Sequence, residues 1–244
     1  SGIVIAAYLA KAIAAMPKRR YTYRFLFVPA QLGSLAWLAR NPEAYGRIRH
    51  GVVLVALGDV GCSTYKCSRR ETAEIDRVVT HVLRHSGQPY EIFKFLPYGY
   101  DERQYCSPGF NLPVGCFMRS TGARFPEYHT SADNLECVKT SSLADSYRKC
   151  MEICYVLEGN RVFRNLLPNG EPQLGKRGLY GAMGGLAGGG REKELLLLWA
   201  LNLSDGSHTL LDIADRSGLP FRQVRHAADL LLEHGLLEEV EGAR

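Results

Sequence analysis

The run VVLVAL at residues 52–57 is continuously apolar and ends at Gly58 and Asp59. An apolar run of this length, bounded by a turn signal, is typical of a strand in a sheet that is covered on both faces. Helices provide that cover in α/β proteins. The run therefore predicts an α/β domain, with the Asp59 carboxylate at the carboxyl end of a strand.

The segments that precede this run fit the same architecture. Residues 3–16 place apolar side chains at helical spacing and stop before Pro17, which predicts a helix. Residues 21–29, YTYRFLFVP, are aromatic and β-branched without a helical period, which predicts a buried strand. A further helix is expected over residues 32–41.

The segments that follow alternate in the same way. Apolar residues on one stripe predict a helix over residues 72–85, and strands are predicted at 89–97 and 113–119. Residues 98–112 lack periodicity and are expected to form a loop, and 137–158 to form a long helix. This order predicts a three-layer α/β/α sheet domain whose function is concentrated in two polar loops.

The composition changes abruptly near residue 166. The glycine-rich stretch 168–190 lacks the GxxxxGK[ST] pattern of a phosphate-binding loop, so a linker is favoured. Beyond it, an amphipathic helix and a helix–turn–helix pattern predict a small winged-helix domain. The predicted organisation is an α/β domain at 1–165, a linker at 166–190 and a winged helix at 191–244.

Charge argues against nucleic acid as the partner. The formal net charge is only +5, and the second helix of the winged-helix pattern carries Asp229 and Glu233 beside Arg222, Arg225 and His226. A recognition helix would be expected to carry more positive charge. A packing or interaction module is therefore favoured over DNA binding, and no apolar run is long enough to predict a membrane span.

The cysteines indicate a reducing compartment. Seven are present, none in a CxxC pair, and Cys150 and Cys154 lie one helical turn apart. Buried free thiols are favoured over a zinc site for these two. Without a secretory signal, a cytoplasmic location is expected. The apolar helix that begins directly after Ser1 looks like the continuation of a longer sequence.

The stretch PEYHTSADNLE, residues 126–136, places His129 in a polar turn. A lone loop histidine is commonly solvated or held by a structural hydrogen bond, and Asp59 could equally serve as a turn or helix-cap residue. The functional alternative is that both are metal ligands, because imidazole nitrogen and carboxylate oxygen are the groups that zinc takes in hydrolytic sites.

The segment YHTSADNLE, residues 128–136, resembles the histidine motif of the co-catalytic zinc aminopeptidases of the bacterial leucyl aminopeptidase and glutamate carboxypeptidase type. Residues 1–13, 23–41, 52–59 and 98–115 are similar, in order, to further segments of that pattern. Together with the winged helix, the chain resembles a bacterial branch of aminopeptidase-like proteins with an appended winged-helix domain. The resemblance covers essentially all 244 residues.

The resemblance implies a zinc-dependent hydrolase of an amino-acyl or peptide-like amide. It makes His129 a ligand of one zinc ion and Asp59 a ligand of the other, so that the two ions would activate a shared water molecule. Asp133 or Glu127 would orient the imidazole. The side chains expected to bind the small-molecule or peptide substrate are Tyr100, Asp101, Glu102, Arg103 and Tyr128.

The sequence also departs from the family pattern. The family's first histidine ligand and its bridging aspartate precede the Ser-Gly at which this sequence starts, and Ala30 and Gln31 stand where a catalytic glutamate is expected. The chain is thus expected to supply only part of the zinc ligands. It would be the C-terminal part of a longer enzyme, a pseudoenzyme, or a variant altered at Ala30. The alternative function is a non-catalytic binding protein. Either a homo-oligomer or association with a missing N-terminal part is expected.

Overall fold

The computed structural model describes residues 1–121, 124, 126–179 and 190–240. The chain divides into two compact units, Ser1–Glu158 and Gly159–Arg244. Each unit is built from its own sheet and helices. The mixed α/β architecture predicted for the first unit and the winged helix predicted for the second are both confirmed.

The first unit contains five α-helices and four strands within its described residues. The helices are α1 (Gly2–Ala14), α2 (Leu32–Arg40), α3 (Glu74–Arg84), α4 (Glu102–Tyr105) and α5 (Thr140–Gly159), the last ending one residue beyond the unit. The strands are β1 (Gly51–Leu54), β2 (Ser63–Lys66), β3 (Tyr90–Phe93) and β4 (Val114–Met118). Short 3₁₀ turns cover Pro42–Arg47 and Leu135–Cys137.

The sheet of the first unit is mixed, in the order β1-β4-β2-β3. Strand β4 pairs parallel with β1 and antiparallel with β2, and β2 pairs parallel with β3. The two central strands, β2 and β4, are buried along their whole length, whereas every residue of β1 is half-buried. The strand predicted at residues 52–57 is therefore present as β1 with shifted ends, but the expected full burial on both faces was wrong, because all four of its residues are half-buried.

Helix α2, helix α4 and strand β4 share one hydrophobic cluster. Leu38 is fully buried in it against Tyr105, Leu112 and Val114, and Trp37 packs at its margin. Burying a leucine side chain stabilises a fold by roughly 1.5–3 kcal/mol. This cluster fixes α4, and with it the polar loop in which α4 lies, against α2.

Two further sequence expectations for this unit were wrong, and one strand was missed. Residues 21–29 form no strand, and strand β2 was not predicted. Residues 98–112, expected to be a loop, contain the single helical turn α4. The four residues of β2 are too few to show a period, and they include Lys66, which is unusual in a buried strand. The predicted helices at 3–16, 32–41, 72–85 and 137–158 are present with shifted ends.

The second unit is a winged helix. Its helices are α6 (Gly190–Leu203), α7 (Leu210–Ser217) and α8 (Phe221–Glu233), and its strands are β5 (Val162–Asn165), β6 (Asp205–Thr209) and β7 (Leu237–Glu239). The strands form an antiparallel sheet in the order β6-β5-β7. Thr209 and Asp212 form a capping box that starts α7, and Gly218 ends it at φ 71°.

Strand β5 moves the predicted domain boundary. Residues 162–165 were assigned to the first domain, but β5 is the central strand of the second sheet, so the division falls after Glu158. Part of the predicted linker is ordered into this unit, because Leu174 and Leu179 are buried. The rest of it, residues 180–189, lies outside the described residues.

None of the helices in the described ranges is both long and apolar enough to cross a membrane.

All seven cysteines are free thiols. Cys62 and Cys137 are half-buried, and the others are buried. Burial raises the pKa of the Cys67 and Cys154 thiols to about 12. The expectation that Cys150 and Cys154 are buried free thiols is confirmed.

We expect a thiol-specific alkylating reagent to separate the two groups of cysteines. In the folded protein, Cys62 and Cys137 should react at least about 100-fold faster than the five buried thiols, because alkylation needs an accessible thiolate. Mass spectrometry of proteolytic fragments gives the rate at each position, and all seven should react alike in urea. Labelling of Cys150 in the folded protein at the rate of Cys137 would contradict the packing described here.

Candidate functional site

The loop that carries α4 is attached to the start of α2. Asp101 Oδ1 accepts hydrogen bonds from the Gln31 backbone N–H and from Ser34 Oγ, both at 2.5 Å. Arg103 donates to the Gln31 side-chain oxygen. The Nε of Arg103 is buried and has no hydrogen-bond partner in the described part of the chain. The residues expected to bind substrate thus hold the same Ala30-Gln31 corner at which the family pattern places a catalytic glutamate.

Glu102 is buried at the centre of this loop. Its carboxylate forms an ion pair with Lys66 of strand β2 and accepts a hydrogen bond from the Tyr100 backbone N–H at 3.2 Å. Lys66 also donates to the carbonyl oxygens of Leu96 and Tyr98, at 3.2 and 2.7 Å. Glu102 therefore fixes the loop to the sheet. Substrate binding by Glu102 stays a prediction for a side chain that is 0% exposed.

The loop is also linked to the histidine segment. Tyr100 is half-buried, and burial, followed by a hydrogen bond with Tyr128, raises its pKa. The Tyr128 ring stacks on the His129 imidazole with the ring centroids 3.8 Å apart and an interplanar angle of 18°. The structure therefore brings together three of the predicted site residues, Tyr100, Tyr128 and His129.

His129 has a strained backbone and an exposed side chain. Its φ of 61° lies in the left-handed region, which residues other than glycine adopt rarely and which recurs at functional sites. Its side chain is exposed, and among the described residues no hydrogen bond to its imidazole is present. Asp133 is exposed, and its carboxylate makes no hydrogen bond in the same part of the chain, so its predicted role of orienting His129 stays a prediction.

Asp59 is held at the end of the β1 segment by its neighbours. It is buried, and its Oδ1 accepts hydrogen bonds from Ser120 Oγ at 2.5 Å and from the Gly61 N–H at 2.8 Å. Within the described ranges, its Oδ2 accepts only a long hydrogen bond of 3.4 Å, from the Ser120 N–H. Since β1 and β4 are parallel neighbours, the Ser120 that follows β4 meets the Asp59 that follows β1 at the same edge of the sheet. Oδ2 retains free lone pairs for a further partner.

The predicted zinc ligands do not form a complete site within the described residues. No group of three or more histidine, cysteine, aspartate or glutamate side chains is arranged there to hold a metal ion. A catalytic zinc takes three protein ligands and keeps one open position. Asp59 and His129 are suitable in kind, and further ligands would have to come from elsewhere.

Two residues that position the site were missed by the sequence analysis. Lys66 holds Glu102, and Ser120 holds Asp59. The only signal for Lys66 was a charged residue inside the short STYK segment, which has no detectable period. Ser120 follows a predicted strand, and the parallel pairing that brings it to Asp59 could not be derived from its own neighbours in sequence.

Comparisons with known proteins agree with this description. The α/β unit, which the winged helix follows in sequence, has a fold like that of proteins named as aminopeptidase-like or as a putative peptidase. More particularly, the chain belongs to the family described as "Domain of unknown function (DUF4910)", whose model matches residues 1–160. A model described as winged helix-turn-helix matches residues 161–239.

Two similar proteins come from Clostridium acetobutylicum. A "Putative polysaccharide biosynthesis protein with aminopeptidase-like domain" is 46% identical over 243 residues, which cover 98% of this chain and 55% of that protein. A crystal structure of a "putative peptidase" superposes with a TM-score of 0.90 at 44% identity, covering 98% of this chain and 53% of the other. The chain therefore spans about half the length of the relatives it matches.

Proposed function

We propose that this chain forms part of a zinc-dependent aminopeptidase-like hydrolase that cleaves an amino-acyl or peptide-like amide. The observation that carries the proposal is the connected set Tyr100, Tyr128 and His129, in which an exposed imidazole lies beside an anchored polar loop. The names of the relatives support the peptidase-like class. Zinc, the substrate and catalysis by this protein are proposed here.

The chain supplies two side chains, those of His129 and Asp59, that could serve as part of the zinc ligand set. The exposed imidazole of His129 and the free lone pairs of Asp59 Oδ2 are the nitrogen and oxygen ligands that zinc accepts in hydrolytic sites. Bound zinc would lower the pKa of a water molecule and polarise the substrate carbonyl. The backbone at His129, with φ 61°, sets the direction in which the Cα–Cβ bond leaves the chain, and the side chain is exposed.

The anchored loop supplies the substrate side of the proposal. Arg103 keeps one buried N–H without a partner in the described residues, so a substrate carboxylate or carbonyl oxygen would have to enter the loop to accept a hydrogen bond from it. Tyr100 is hydrogen-bonded to Tyr128, whose ring stacks on the His129 imidazole, and the two tyrosine hydroxyls could hydrogen-bond to a polar small molecule or a peptide. Asp101 and Glu102 would act by holding this loop in place.

Zinc analysis tests the proposal. We call the part of the C. acetobutylicum relative that this chain does not cover the complementary polypeptide. Purified together with it, the chain should carry zinc, and His129→Ala should remove at least one ion per chain because it removes a direct ligand. Elemental analysis by mass spectrometry measures the zinc content, and hydrolysis of aminoacyl nitroanilides measures the activity.

The matched control is His226→Ala, which removes an exposed histidine from helix α8 of the other unit and should leave the zinc content unchanged. Equal zinc in the His129→Ala and wild-type proteins would refute the assignment of His129. Absence of both zinc and amidase activity from the wild-type complex would instead favour the second function, a non-catalytic binding protein built on this fold.

A further inference from the structure

Residues 22–28, TYRFLFV, form a segment without regular structure in the first unit, which we call the unpaired segment. Its backbone makes no hydrogen bond with any other backbone group in the described parts of the chain. Backbone N–H and C=O groups are strong hydrogen-bonding groups, and in folded proteins they are nearly always paired when they are removed from water. The backbone N–H and C=O groups of these seven residues are therefore available to pair with another β-strand.

The unpaired segment is fixed at its amino-terminal end. The Glu158 carboxylate accepts hydrogen bonds from the Arg20 and Tyr21 backbone N–H groups, at 2.5 and 3.3 Å, and from the Tyr23 hydroxyl at 2.8 Å. The Arg24 guanidinium lies over the Trp37 ring of α2, 5.2 Å from its centroid. These contacts position the entry of the segment.

The carboxyl-terminal end is fixed as well. The Pro29 carbonyl accepts a hydrogen bond from the Gly33 N–H at 2.9 Å, and the Gln31 N–H donates to Asp101. A side chain at Gly33 would meet Val28 Cβ at 2.5 Å, so the start of α2 packs closely on the last residue of the segment. The segment is therefore positioned at both ends and unpaired between them, which is the geometry of a strand held ready for a neighbour.

The side chains of the unpaired segment are more apolar than is usual for residues this exposed to solvent. Leu26, Phe27 and Val28 are 37%, 53% and 38% exposed. Aromatic and β-branched residues favour strands, and a solvent-exposed loop is typically built from glycine, proline, asparagine, aspartate or serine, none of which occurs between residues 22 and 28. Consecutive exposed apolar residues beside unpaired backbone groups mark a surface that another polypeptide covers.

We infer that the unpaired segment is a docking strand, which pairs with an apolar strand supplied by the complementary polypeptide. The length of the relatives argues for this occupant, since almost the whole of this chain accounts for only 55% and 53% of their chains. β-Strand addition joins backbone hydrogen bonds with burial of alternate side chains. This inference does not depend on zinc or on the proposed hydrolysis.

Hydrogen–deuterium exchange of the 244-residue chain tests the inference. In the chain alone, the amides of Leu26, Phe27 and Val28 should exchange quickly, because none of them donates a hydrogen bond to another described residue. In complex with the co-expressed complementary polypeptide, the segment should exchange at least about 100-fold more slowly. Peptide-resolved mass spectrometry gives both rates, and the readout involves neither zinc nor activity.

Two proline variants identify strand pairing as the cause. Leu26→Pro and Phe27→Pro each remove one N–H, and successive N–H groups of a strand point to opposite edges, so at least one variant must break the new ladder. That variant should weaken the complex at least about tenfold, measured by titration of the two purified components, while the circular dichroism of the chain alone stays unchanged.

A pair of aspartate variants tests the side chains. Phe27→Asp should also weaken the complex, whereas Leu167→Asp, at a similarly exposed leucine of the second unit, should not. The inference is overturned if no complex forms, if a complex forms while the segment still exchanges quickly, or if the segment is already protected in the chain alone in a concentration-dependent way. The last result would assign the segment to a second copy of this chain.

Discussion

Lys66→Met should lower the free energy of unfolding of the first unit by about 3–5 kcal/mol, the usual cost of removing one partner of a buried ion pair. The side chains of Lys66 and Glu102 are 7% and 0% exposed, so the Glu102 carboxylate would be left buried without its counter-charge. The carbonyl oxygens of Leu96 and Tyr98 would lose their donor at the same time. Urea denaturation followed by pulsed labelling of the buried Cys150 measures the unfolding of this unit.

The double variant Lys66→Met with Glu102→Gln provides the rescue. Glutamine is neutral and can still accept the hydrogen bond from the Tyr100 N–H, so the double variant should be more stable than Lys66→Met alone. Arg124→Met breaks the exposed pair with Glu91 and should shift the denaturation midpoint little. A Lys66→Met protein as stable as the wild type would show that Lys66 and Glu102 are not a buried pair.

The helices of this protein were predictable because each carries its own signal. Helix α1 buries Ile5, Leu9 and Ile13, which repeat at helical spacing and stop before Pro17. The capping box of Thr209 and Asp212 and the turn glycine Gly218 likewise predict the helix–turn–helix. These signals depend only on neighbouring residues, so they can be recognised without knowledge of the tertiary contacts.

The strands were less predictable because a strand is completed by a neighbour. Residues 21–29 carry a strong strand composition but have no ladder partner in the described chain. Strand β2 has no clear composition, yet it pairs on both sides with β4 and β3. Strand β5 lies before the glycine-rich stretch, and its partners β6 and β7 lie beyond it, so its own residues could not indicate the domain to which it belongs.

Within the candidate site, sequence reasoning reached only those features whose signal lies within one short stretch of the chain. The pattern around His129 and the polar run at 98–112 predicted two segments that the structure does bring together through Tyr128 and Tyr100, while their roles as metal ligand and substrate-binding residues stay predictions. The hydrogen bond between Tyr100 and Tyr128 joins residues that are distant in sequence, and it follows only from the packing of the loop on Lys66. The same distance in sequence hid Ser120, which contacts Asp59 across the ends of two parallel strands.

Asp76→Ala should destabilise the first unit by at least about 3 kcal/mol, since it removes a buried carboxylate that accepts four hydrogen bonds. Its oxygens accept from the Tyr65 hydroxyl at 2.9 Å, from the Ser68 N–H and Oγ at 2.7 and 2.6 Å, and from the Ala73 N–H at 3.2 Å. These donors lie on strand β2, on the turn after it and at the start of α3. Alanine would leave the donors of Tyr65 and Ser68 buried without an acceptor and would remove the hydrogen bonds that join β2 and the turn after it to the start of α3.

Two smaller substitutions should destabilise the first unit less than Asp76→Ala does. Tyr65→Phe removes a single donor from Asp76 and should cost about 1 kcal/mol, while Asp133→Ala removes an exposed carboxylate and should stay within about 0.5 kcal/mol of the wild type. Urea denaturation with pulsed labelling of Cys150 measures all three variants in the same way. If Asp76→Ala were no more costly than Asp133→Ala, the carboxylate could not be the acceptor that holds β2 to α3. Buried donors without a partner cannot be compensated by water, and for that reason we expect the order Asp76→Ala, then Tyr65→Phe, then Asp133→Ala.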